Sequence, residues 1–140
     1  FSGLPALVDQ GSGNAGLVYV DHVAQAMVNA LDDTIKRGSV FNLCDELDVT
    51  WRQYFEDLAE IIQEKKPVSI PGPLAHIIAS ATEKAWSFLS IPGRPPLSKE
   101  ALNLIGNDLK IPADKGRKAL NLTNQKSYQD VLAEIKASLQ

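Results

Sequence analysis

GSGNAGLVYVDHVAQAMVNAL, residues 11–31, is the stretch on which the reading of this chain turns. Gly11, Gly13 and Gly16 satisfy a G-x-G-x-x-G spacing, with Asp32 and Asp33 downstream. In a dinucleotide fingerprint those glycines end a strand and open a helix directly, so that a pyrophosphate meets free N–H groups at the helix N-terminus. Here Leu17, Val18, Tyr19 and Val20 intervene, and these are strand formers. The helical pattern begins only at Asp21, a good N-cap. The glycines therefore read as a loop before a strand, not as a phosphate cradle.

Working outward, Leu4–Val8 reads as a short strand before the glycine loop and Leu17–Val20 as a second. The helix to Leu31 places Val23, Met27, Ala30 and Leu31 on one face. Gly38 follows Lys36 and Arg37 as a helix end and turn, and Ser39–Leu43 reads as a buried strand. Thr50 and Gln53 form a capping box, with Val49 and Tyr54 as its staple. The helix they open carries Trp51, Tyr54, Phe55, Leu58, Ile61 and Ile62 along one stripe. Pro67 stops it, and Val68–Ile70 is expected as an edge strand. A third helix is expected over Leu74–Leu89, with Leu74, Ile77, Ile78, Ala81, Ala85 and Phe88 along one stripe, read as packing on the core or as a lid over the substrate. Ser98 caps a short helix to Ile105, and Pro112 starts another to Leu120. Ser127 with Asp130 opens a last helix striped by Tyr128, Val131, Leu132, Ile135 and Leu139.

The chain of 140 residues is 44% hydrophobic and 22% charged, which suits a single compact domain over residues 1–140. A net charge of −3 without a basic cluster argues against a nucleic-acid surface. No signal peptide or membrane span is read, and a cytoplasmic protein is expected. The chain opens at Phe1 and its one methionine is Met27, which we read as a piece of something longer. Cys44 is the one cysteine, so no internal disulfide forms, and it reads as a reduced core thiol. His22 reads as solvated, and with His76 it supplies no metal-ligand spacing.

Gly13, Asn14, Tyr19, Val20, Asp21, His22, Val23, Ala24 and Ala26 follow the order of a G-x-G-x-N-x-x-x-x-Y-V-D-D-V-A-x-A pattern. Gly38, Phe41, Asn42 and Leu43 follow G-x-x-Y-N-L, and Thr50-Trp51 a T-W helix start. Pro95-Pro96-Leu97-Ser98-Lys99 is similar to P-P-L-T-R, and Asp114–Leu120 to D-x-S-K-A-R-x-x-L-G. In these segments the chain resembles the second half of an extended short-chain dehydrogenase/reductase. That group includes nucleotide-sugar epimerases and dehydratases, 3β-hydroxysteroid dehydrogenase-like enzymes and dihydroflavonol/cinnamoyl reductases. The resemblance implies an α/β fold: a mostly helical C-terminal lobe with a few short strands, the incomplete second half of an NAD(P)-binding Rossmann-type enzyme.

The same resemblance implies NAD or NADP as cofactor of the parent enzyme, bound on an N-terminal half. It also implies hydride chemistry run by a Tyr-x-x-x-Lys pair with a Ser or Thr. The lysine of such a pair lowers the tyrosine's pKa by charge proximity. Here Val23, Leu58 and Leu132 stand four residues after Tyr19, Tyr54 and Tyr128. No cofactor is therefore expected on this chain alone, and no catalytic residue is assigned. Asn14 and Tyr19 match substrate-cleft positions, and Arg94 is placed to reach a cleft from the Pro-rich connector. Ala15 stands where sugar-nucleotide enzymes carry a diphosphate-binding arginine, which favours a less charged substrate of the steroid or flavonoid kind.

The expected partners are a small-molecule substrate, the missing N-terminal half, and a second copy through exposed apolar surface. Membrane binding by the Leu74–Phe88 helix is disfavoured, because its polar face is poor in Lys and Arg. The competing readings are a free-standing binding module that uses that helix, and a scaffold that has lost catalysis.

Overall fold

The computed structural model describes residues 6–45, 47–93, 95, 98–122 and 126–139. Arg94, Leu4, Pro5, Pro96, Leu97 and 123–125 lie outside the described residues, and so do the expectations placed on them. Among the described residues the fold is a small, mostly helical α/β arrangement with six α-helices and one two-stranded parallel sheet. The chain forms two compact units, one from residues 1–15 and 49–109, the other from 16–48 and 110–140.

In the first unit, β1 (Leu7–Val8) pairs in parallel with β2 (Ser69–Ile70), Leu7 opposite Ser69 and Val8 opposite Ile70. Leu7 N–H also donates to Val68 O at 2.9 Å. A 3₁₀ turn over Asp9–Gly11 follows β1 and holds Asp9 and Gln10 at positive φ (44° and 65°). Non-glycine residues pay steric strain there, so outside bonds must hold them. The Asp9 carboxylate accepts Gly72 N–H at 2.7 Å, Gln10 N–H donates to Ser69 Oγ at 2.9 Å, and Arg52 Nε donates to Gln10 O at 2.8 Å.

Local capping starts three helices where the sequence puts them. Thr50 accepts from Gln53 N–H ahead of α2 (Trp51–Ile61), and Ser98 from Ala101 N–H ahead of α4 (Lys99–Ile105). In the second unit Ser127 accepts from Asp130 N–H ahead of α6 (Tyr128–Ser138). The long helix α3 (Gly72–Phe88) has no cap from its neighbour Pro71; Asp9 serves its first N–H instead.

The packing of α3 corrects the expected stripe. Gly72, Ala75 and Ala79 are the buried residues of α3, and the two alanines join Val8, Leu102 and Ile70 in the core. Small side chains let the helix axis come close to its neighbours. Leu74, Ile77 and Phe88, on the stripe read as core packing or a lid, are 49%, 66% and 88% exposed.

In the second unit α1 runs over Val20–Asn29, one residue earlier than expected, with Tyr19 at the cap position and Asp21 inside the first turn. Its buried residue is Ala26, while Met27 and Leu31 of the expected core face are exposed. The segments Leu17–Val20 and Ser39–Leu43 are not strands. Apart from Val20, which opens α1, they are irregular backbone, joined where Asp45 N–H donates to Leu17 O at 2.9 Å. Strand-forming side chains make a strand only when a ladder partner lies alongside. The 41–45 segment rests instead on α5 (Asp114–Ala119), where a Cβ on Gly116 would stand 2.5 Å from Asn42 O.

Candidate functional site

The glycine loop holds no phosphate cradle. Asn14 N–H donates to Asp108 Oδ1, Ala15 N–H to Val49 O, and Gly13 O receives Trp51 N–H. These groups are spent inside the first unit, and α1 opens beyond them at Val20.

A cavity of about 780 Å³ lies within the second unit. Its walls come from the start of α1 (Tyr19, Asp21, His22), the 43–45 segment, Arg117 of α5 and Lys126 ahead of α6. Val18, Leu43, Ala113 and Leu122 supply apolar wall.

The buried acid Asp45 organises the cavity. One oxygen accepts Tyr19 N–H at 2.8 Å, and the other meets His22 Nδ1 at 2.8 Å. Tyr19 makes no side-chain cap bond to α1; Asp45, 26 residues away in sequence, holds the backbone N–H of Tyr19 just ahead of the helix. A carboxylate at the positive end of a helix is favourably placed. His22 Nε2 accepts the backbone N–H of Lys126 at 3.2 Å. Nε2 is therefore bare and Nδ1 carries the proton toward Asp45, which assigns the tautomer from its partners. His22, expected to be solvated, has a side chain only 13% exposed, and both ring nitrogens are engaged. It clasps the Asp45 carboxylate to the backbone of Lys126.

A second cluster closes over Tyr19. Its hydroxyl donates to Glu134 and receives Lys126 Nζ at 3.4 Å. The ammonium also sits 4.7 Å from the Tyr19 ring centroid, pairs with Glu134, and lies 3.8 Å from Asp21. A tyrosine beside a lysine invites an acid–base reading, but the direction of its titration opposes it. The hydrogen bond to Glu134 pushes the Tyr19 phenol above its ordinary value of 10.0, and outweighs the lowering by Lys126. Glu134 is held below the ordinary carboxylate range by Lys126 first and Tyr19 second, and Lys126 is raised chiefly by Glu134. Tyr19 keeps its proton.

The signs set a pH window. Glu134's contribution to stability is present above its unfolded value and fades as pH falls through its lowered folded one. Those of Tyr19 and Lys126 are whole below their ordinary values and fade as pH climbs through the raised ones. The cluster is therefore intact across the neutral range. In a phenolate-absorbance titration, the step removed by Tyr19→Phe is expected above pH 10.0, and Glu134→Gln should move it downward. A Tyr19 step at or below the ordinary value would refute this account.

Of the residues expected at a substrate cleft, Tyr19 lines this cavity. Asn14 belongs to the first unit and is not among the lining residues, and Arg94 lies outside the described residues. Asp45, Lys126 and Glu134 were not singled out in the sequence. The one available signal was Asp45, an acid closing the apolar run Val40–Cys44. Cys44 is a half-buried thiol outside any disulfide, and its Sγ donates to Leu17 O at 3.4 Å. Among the described residues no cluster of His, Cys, Asp and Glu is arranged to hold a metal ion, and no helix is long and apolar enough to cross a membrane. No protein-family model matches the chain, and no curated protein is significantly similar to it.

Proposed function

We propose that this chain is the substrate-binding portion of an NAD(P)-dependent oxidoreductase of the extended short-chain dehydrogenase type, and that it does not transfer hydride by itself. One observation carries the reading. Three segments that resemble that enzyme group in sequence, Tyr19–His22, Phe41–Leu43 and Asp114–Leu120, each contribute side chains to the wall of one cavity. Its volume lies in the range of roughly 300–1,000 Å³ that small organic ligands occupy. Three of its charged wall groups have partners, Asp45 in His22, Asp130 in Ser127 and Lys126 in Glu134, while Asp21 and the Arg117 guanidinium also line it. Val18, Leu43, Ala113 and Leu122 suit a substrate with an apolar body, and Ala15 stands where a diphosphate-binding arginine would be.

The test is calorimetric titration of the whole chain with steroid and flavonoid alcohols, a nucleotide sugar and NADPH. Binding of the apolar alcohols is expected, with a loss of about tenfold or more when Val18→Trp fills the cavity. Tight NADPH binding by the chain alone would overturn the reading. So would alcohol binding that Val18→Trp leaves unchanged.

A further inference from the structure

We infer that the outer face of α3 is a self-association surface, on which a second copy of this chain docks antiparallel. At 100° per residue, Ile77, Phe88, Ala81, Leu74, Ala85 and Ile78 fall in that order across a stripe roughly 100° wide. All six are exposed, and no charged residue lies between its edges. Gly72, Ala75 and Ala79, which face the core, lie on a different side of the helix.

Three observations select a second copy as occupant. The first is area. Leu74, Ile77, Ile78, Phe88 and Leu89 are 49%, 66%, 38%, 88% and 62% exposed. Together they offer on the order of 500 Å² of apolar surface, as large as the largest patch on a typical monomer. Two such faces bury roughly 1,000 Å², the lower bound for a specific interface. The second is shape. Leu74, Ile77 and Ile78 occupy the N-terminal half of the stripe, Ala81 its middle, and the small Ala85 with the bulky Phe88 the C-terminal half. A twofold axis at Ala81 sets Ile77 on the partner's Ala85 and leaves each Leu74 against a Phe88. This self-complementarity is what an isologous contact requires. The third is charge. Lys84 is the one Lys or Arg in α3, with His76 the one histidine, so the helix lacks the cationic flank that draws an apolar face to an anionic lipid surface.

An interface this small is tested at protein concentrations on the order of 10 µM, because area alone does not set affinity. Sedimentation equilibrium of the whole chain across that concentration should show monomer and dimer. Ala81→Glu sets two carboxylates against each other at the axis. It should weaken the dimer at least about tenfold while the helical circular dichroism is unchanged. The register has its own test in a Cys44→Ser background. Ala81→Cys should form a disulfide-linked dimer, and Ala85→Cys, which the axis sets against Ile77, should do so far more slowly. Monomer throughout would overturn the proposal. So would a dimer indifferent to Ala81→Glu, equal crosslinking at both positions, or binding to phosphatidylserine vesicles without dimerisation.

Discussion

Replacing His22 by alanine is expected to destabilise the fold by about 3–5 kcal/mol, more than replacing His22 and Asp45 together. Asp45 has a side chain only 5% exposed. Without His22 it keeps one partner, the backbone N–H of Tyr19. A buried acidic oxygen stripped of its donor loses solvation it cannot recover, whereas removing both members leaves much less that needs a partner. The backbone N–H of Lys126 also loses its acceptor in the single variant. Urea unfolding of the wild type, His22→Ala, Asp45→Ala and the double variant closes a thermodynamic cycle. A double variant no more stable than His22→Ala would overturn this account, and losses that simply add would show that the two side chains act independently. A His22→Ala loss under about 0.5 kcal/mol would likewise overturn the account.

The second large effect is expected at Gly13. A Cβ built there would stand 2.5 Å from the carbonyl oxygen of Asn107 and 2.8 Å from its carbon. Both are backbone atoms, so no side-chain rotation relieves the contact. Leu109 N–H, two residues on, is itself tied to Asn14 O at 3.0 Å, which limits how far the segment can retreat. Gly13→Ala should cost about 2–3 kcal/mol, in the range of overpacking in a close-packed interior. Gly38→Ala is the natural comparison. It has open space around the added methyl but a φ of +79°, so its loss of about 1 kcal/mol comes from backbone strain alone. Thermal unfolding of the two variants side by side separates the mechanisms. Equal losses would mean that the approach of Asn107 to the glycine loop does not constrain residue 13.

What was legible in this sequence is what is decided locally. Thr50, Ser98 and Ser127 each announce a helix because a hydroxyl and an N–H three residues on need nothing else to meet. The six helices were all expected, with ends shifted by a few residues. What was not legible depends on distant partners. Leu17–Val20 and Ser39–Leu43 have strand-forming side chains but no ladder beside them. The apolar stripe of α3 is where the spacing puts it, yet the core lies along Gly72, Ala75 and Ala79, because close approach to β1 and α4 outweighs side-chain size. At the site, Tyr19 stood out through its segment. The clasp of His22 with Asp45 joins residues 23 positions apart, and Glu134 reaches Tyr19 from 115 positions away. No local pattern records either pairing.

The two compact units are interleaved along the chain, with crossings after Ala15, Asp48 and Leu109. A ribosome must therefore deliver residue 109 before the first unit can close, and the C-terminal helix before the second can. The usual vectorial order, in which an N-terminal body folds while the rest is still being made, is closed to both. A nascent chain of this protein carries Leu7 and Val8 unpaired until Ser69 and Ile70 arrive, and chaperones that hold open chains have that whole interval in which to act.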